Sequence, residues 1–121
     1  MRKKILVVSR HAPYGTSIAR DAIDAVLASA AYDQDLSLLF MDDGVFQLIS
    51  NQNPADIEQK NIGSMLKALP LYGVDNIFVH RESLIARGIA EDELLIPNLK
   101  ILGGGSAVHK LIVRQDQLLS F

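Results

Sequence analysis

The chain has 121 residues and a formal net charge of −2, with 49% hydrophobic and 21% charged residues, which suits one domain around one core and is too little for two. No apolar run approaches the roughly 20 residues that span a bilayer, the apolar stretch behind the basic start is too short for a signal peptide, and no basic stripe offers itself to nucleic acid, so a cytoplasmic protein is expected. The cysteine count is zero, which excludes disulfides, thiolate metal sites and a cysteine nucleophile.

The first strand is predicted over Lys4–Ser9, an apolar, β-branched run that stops at Arg10 and His11. The loop "HAPYGTS" follows, and then a helix in which Ile18, Ala22, Ile23, Val26, Leu27 and Ala30 recur on one stripe. Thr16 or Ser17 is placed to cap its start. The second strand is predicted over Leu36–Met41. "DDGVFQLIS" comes next, with Gly44 as a turn former and Val45, Phe46, Leu48 and Ile49 in a short helix. "NQNPAD" reads as a polar loop. Ile62, Met65, Leu66 and Leu69 mark a further helix that ends near Pro70.

Asn76–His80 is the third predicted strand. Glu82–Arg87 is a helix closed by Gly88 in the position after its end. Leu99–Leu102 is the fourth strand, "GGGS" a turn with Ser106 as the cap of a last helix, and Gln117–Phe121 the fifth strand. Strands alternating with helices, and strands that are apolar throughout, predict buried parallel pairing. The expected fold is therefore a single three-layer α/β/α domain, flavodoxin-like, with a mostly parallel five-stranded sheet.

In open parallel sheets, ligands lie outside the carboxyl ends of the strands. The residues expected there are Arg10, His11 and Tyr14 after the first strand, Asp42 and Asp43 after the second, His80, Arg81 and Glu82 after the third, and Gly103, Gly104 and Gly105 after the fourth. His–Asp pairs do acid/base work near neutral pH. The same residue types also collect at strand ends because loops there are exposed, and Asp42–Asp43–Gly44 is equally a cap and a turn. No metal-ligand spacing is present, and His109, on the last helix, reads as a surface or packing histidine. "HAPYGTS" leads into a helix start but lacks both phosphate-loop patterns, G-x-x-x-x-G-K-[ST] and G-x-G-x-x-G. "GGGS" is either an anion nest or a plain turn. No cofactor is expected.

Three stretches, "APYGT" after the first strand, "DDGVFQL" after the second and "ESLIARG" after the third, occur in this order, and the chain closes with "LLSF". In these the sequence resembles the TusC/DsrF family, strongly from Lys4 to about Arg87, less through "IPNLKILGGGS", and again at the last strand. The resemblance implies one subunit of a cytoplasmic sulfur relay of the TusBCD or DsrEFH kind, heterohexamers built as two copies of three related subunits. TusBCD passes persulfide sulfur toward 2-thiouridine in tRNA, and DsrEFH serves sulfur oxidation. The carrier cysteine belongs to the TusD/DsrE-like subunit, where it follows the third strand, and it serves a TusE/DsrC-like acceptor. The equivalent position here is His80.

The resemblance thus implies a non-carrying subunit without chemistry of its own, partnered by TusB/DsrH-like and TusD/DsrE-like siblings. Val45, Phe46, Leu48, Ile49, Leu71 and Tyr72 are the interface candidates, being apolar for connecting segments. Core packing is the competing explanation for them. Two other functions stay open on the residues alone: a nucleotide- or flavin-binding module, and a small enzyme using His11, His80 and Asp42 or Asp43.

Overall fold

The protein is described by a computed structural model covering residues 3–13, 16–32, 34–49, 57–96 and 98–121, with side chains in the second helix from residue 62 onward. Five strands, β1 (Lys4–Ser9), β2 (Asp35–Phe40), β3 (Asn76–His80), β4 (Lys100–Leu102) and β5 (Gln117–Ser120), form one sheet in the order β4-β3-β2-β1-β5. Every pairing is parallel, with Val7 beside both Leu38 and Leu119. The chain steps outward from β1 to β4 and then returns to the far edge of β1.

Side chains alternate between the two faces of the sheet. Ile5, Val7, Leu36, Leu38, Phe40, Ile77 and Val79 face one side and pack under α1 (Ile18–Ala30), the 3₁₀ segment Asp42–Leu48, α2 (Ile57–Ala68) and Leu84 of α3 (Arg81–Ala86). Ala19 and Ala22 are fully buried, and their small side chains bring α1 close to the sheet. On the opposite face, Leu6, Val8 and Leu39 lie under Leu111 of α4 (Ala107–Val113), with Met41, Phe78, Leu102, Val108 and Ile112 at the margin.

The predicted strands lie where expected, to within a residue at most ends. Gly88 closes α3 as foreseen: with φ at 67°, it donates to the Ile85 carbonyl at 3.1 Å while Ile89 N–H reaches Leu84 at 3.0 Å. Three local expectations are corrected. Neither Ser17 nor Ser106 caps its helix through its side chain. The Ser17 hydroxyl turns instead to Asp21 at 3.4 Å, and Thr16 Oγ1 accepts the Ile18 N–H at 3.4 Å. Gly44 is required by proximity rather than by a turn. A Cβ there would run into the Ser9 carbonyl oxygen and lie 2.7 Å from its carbon, whereas the left-handed backbone belongs to Asp42, at φ 52°.

The third correction concerns the interface candidates. Val45 and Leu48 are completely buried and cannot meet a partner. A 3₁₀ helix repeats every three residues, so 45 and 48 share the line that faces the core. Phe46 and Ile49 share the next line and are only partly buried against that core. Leu71 and Tyr72 belong to a separate 3₁₀ turn, Leu69–Tyr72, and are 87% and 61% exposed. This turn is fixed by buried Leu69, by Pro70 in its first positions, and by Gly73 at φ 82°. Tyr14 and Gly15 of "HAPYGTS", and the loop at 51–56, lie outside the described residues.

Candidate functional site

The carboxyl ends of β1, β2, β3 and β4 share one rim, and a chain of hydrogen bonds crosses it. Arg10, one residue beyond β1, pairs through Nε with Asp42 Oδ2 at 2.8 Å. The Asp42 backbone N–H donates to Ser83 Oγ at 2.9 Å. Ser83 Oγ is 2.7 Å from His80 Nδ1. His80 Nε2 is 3.2 Å from Glu82 Oε2, and the other carboxylate oxygen, Oε1, accepts the Gly104 N–H at 2.8 Å.

Ser83 sits at the centre of this order. Ser83 has one hydroxyl proton, and its oxygen already accepts from Asp42. The Ser83 hydroxyl therefore bridges the Asp42 N–H and His80 Nδ1, while His80 Nε2 faces the Glu82 carboxylate. The Gly104 N–H and Glu82's own N–H hold the Glu82 carboxyl below its ordinary value. The charges of His80 and Arg81 add to this, and desolvation opposes it.

Serine, histidine and carboxylate in a row have the atoms of a nucleophilic relay. The burial argues against that use. Ser83 is 4% exposed, so a substrate carbonyl cannot approach its oxygen. The chain of bonds instead locks the first turn of α3 to the β2 end.

The remaining candidates are placed around this chain. Asp43 pairs with Arg87 Nε at 3.0 Å, and Arg87 also donates to the Ser83 carbonyl at 3.2 Å. Arg81 lies along Gly103, where a Cβ would come 2.5 Å from its guanidinium nitrogen. His11 is exposed and is held by its backbone: its carbonyl accepts Gln47 Nε2 at 2.9 Å, and the same amide donates to Ser9 Oγ at 2.7 Å. Among the described residues no group of three His, Cys, Asp or Glu side chains is arranged to hold a metal ion.

Ser83, Gln47 and Arg87 were not singled out from sequence. Ser83 had a readable signal, since it stands three residues after His80 and one helical turn brings them together. Gln47 had another, as the polar residue inside the apolar run "VFQL", where a buried amide must find partners. Arg87 had none.

Comparison with known proteins bears on this rim and the sheet beneath it. Residues 3–121 match the DsrE/DsrF-like family. A "Protein TusC homolog" of Pseudomonas aeruginosa is 39% identical over 120 residues, covering 99% of each chain. The "Intracellular sulfur oxidation protein DsrF" of Allochromatium vinosum is 45% identical over 93 residues, 77% of this chain and 68% of that protein. Among solved structures, the crystal structure of the E. coli ychN protein superposes with a TM-score of 0.79 at 25% identity, covering all of both chains.

Proposed function

The chain belongs to the DsrE/DsrF-like family, and from that premise we propose that it is a subunit of a sulfur-relay complex that carries no sulfur itself. The observation that supports this is the residue at the carboxyl end of β3. Family resemblance puts the carrier cysteine of the sulfur-bearing sibling there. Here the position is His80, tied to Ser83 and Glu82, in a chain with no cysteine. A persulfide needs a thiolate, so the sulfur must ride on another subunit, and this one contributes shape and contacts.

The finer reading is a cytoplasmic heterohexamer with TusB/DsrH-like and TusD/DsrE-like siblings, serving tRNA 2-thiouridine synthesis through a TusE/DsrC-like acceptor. The similarity to the Pseudomonas aeruginosa TusC homolog runs the length of both chains, and the similarity to DsrF does not; this favours the thiouridine branch over sulfur oxidation. The exposed pair Leu71 and Tyr72 is its contact knob for a sibling. A rigid, apolar turn loses little freedom on docking.

The test is native mass spectrometry of the tagged chain drawn from its own cells. A complex with two related siblings, one bearing a persulfide-forming cysteine, is the expected result. A chain with no such sibling overturns the proposal. Loss of 2-thiouridine from tRNA on deletion of the gene, with sulfur oxidation unaffected, tests the finer branch.

A further inference from the structure

The carboxylates of the rim are all committed. Asp42 holds Arg10 at 2.8 Å, and Asp43 holds Arg87 at 3.0 Å. Glu82 gives one oxygen to the Gly104 N–H and the other to His80 Nε2. Arg81, the first residue of α3, is left over. Among the described residues, no carboxylate or carbonyl takes a hydrogen bond from its guanidinium.

That guanidinium is nevertheless seated. A Cβ on Gly103 would lie 2.5 Å from Arg81 Nη1, 3.1 Å from Cζ and 3.4 Å from Cδ, so the side chain runs along the bare backbone at the end of β4. Gly103 is not in the left-handed region. Its missing side chain makes room for the arginine and is not needed for the turn. Beside it, Gly104 and Gly105 are exposed, and a Cβ on either would meet nothing within 4 Å. The donors of Arg81 therefore sit next to a stretch of open surface made of backbone alone.

From this we propose that Arg81, seated on Gly103, binds a small oxyanion of the sulfate or phosphate kind. A guanidinium presents planar N–H donors in a fork that matches two oxygens of such an anion. The run Gly103–Gly104–Gly105 carries no side chain that would keep the anion from that fork. Glu82 is the charge that opposes binding, and both its oxygens are turned to Gly104 and His80 rather than to Arg81. With that charge nearby and the site open, the expected dissociation constant is about 1 mM. The site belongs to the isolated chain and stands or falls independently of the sulfur-relay proposal.

The test is a titration of the full chain with sulfate, followed by NMR of the Arg81 Nε–H and of the Gly104 and Gly105 amides. Sulfate replaces chloride at constant ionic strength, so that screening does not change. A saturable shift with a dissociation constant of about 1 mM is expected. Gly103→Ala keeps the charge but pushes the guanidinium off its seat, and should weaken binding about tenfold. Arg81→Met should remove the saturable shift of the glycine amides. Arg114→Met takes away an exposed guanidinium at the far end of α4 and should leave the titration unchanged. Circular dichroism checks each fold. Should Gly103→Ala misfold, Arg81→Met, at an exposed position, still decides. Shifts that stay linear in sulfate, that persist in Arg81→Met or in a folded Gly103→Ala, or that Arg114→Met removes equally, overturn the proposal.

Discussion

The Ser83 hydroxyl lies 2.7 Å from His80 Nδ1 and is buried between α3 and the end of β2. It satisfies two groups at once, since Asp42 N–H reaches the same oxygen at 2.9 Å. Ser83→Ala leaves a part-buried N–H and a ring nitrogen without this partner, at a cost of about 1 kcal/mol. Chemical denaturation should show that loss with an unchanged slope. Nitrogen NMR of the imidazole should show a shift at Nδ1, which loses its partner. A variant that keeps full stability would mean that water replaces the hydroxyl.

Gly44 meets the Ser9 carbonyl too closely for any side chain. The obstacle is backbone at the end of a central strand, so it cannot swing aside. Gly44→Ala is expected to lower stability by about 3 kcal/mol or more, read as a shift in the denaturation midpoint. By contrast, Gly105→Ala, where a Cβ meets open space, should change little.

Glu82 gives the rim an acid limit. Its carboxyl pKa is lowered in the folded state from an ordinary value of 4.5, so the folded form favours the carboxylate. That contribution is present above the unfolded value and is lost as pH falls through the folded one. Glu82→Gln keeps an acceptor for Gly104 but cannot ionise. Its melting temperature should lie below that of wild type at neutral pH and converge with it on acidification below 4.5. Parallel curves down to strong acid would contradict the assignment.

Leu71→Asp with Tyr72→Asp tests the knob against the core. Both side chains are largely exposed, so the fold should survive while the complex with siblings dissociates in native mass spectrometry. Val45→Asp, at a fully buried position, should instead unfold the chain by burying an unpaired charge. Phe46→Asp, partly buried against the core, should fall between the two.

The sheet was legible in the sequence because its signal is local. Lys4–Ser9 and Asn76–His80 are apolar runs ended by polar residues, and Gly88 marks a helix end by its own backbone freedom. Of the two cap candidates, Ser17 turns to a competing partner, Asp21, one turn along, and Thr16 meets the Ile18 N–H. Val45 and Leu48 were misassigned because an apolar connecting segment looks the same whether it faces a core or a partner; only the three-residue repeat of the folded segment separates them. Topology alone puts Arg10, Asp42, His80 and Gly103 just at or beyond the strand ends. The bonds among them depend on groups from the ends of separate strands meeting at Ser83, and no pattern of residue types announces that.

The pairing of β5 with β1 joins Gln117–Ser120 to a strand that begins at Lys4. On a ribosome adding about 5–20 residues per second, β1 through β4 emerge in the order in which they pair, while the outer edge of β1 waits. Until synthesis passes residue 120, the nascent chain displays a bare edge on a buried strand, open to pairing with a neighbour on the same polysome. Folding is therefore committed late. A stalled or clipped product missing β5 is a natural substrate for chaperones, and a fusion at the carboxyl end needs a linker that leaves this last strand free to dock.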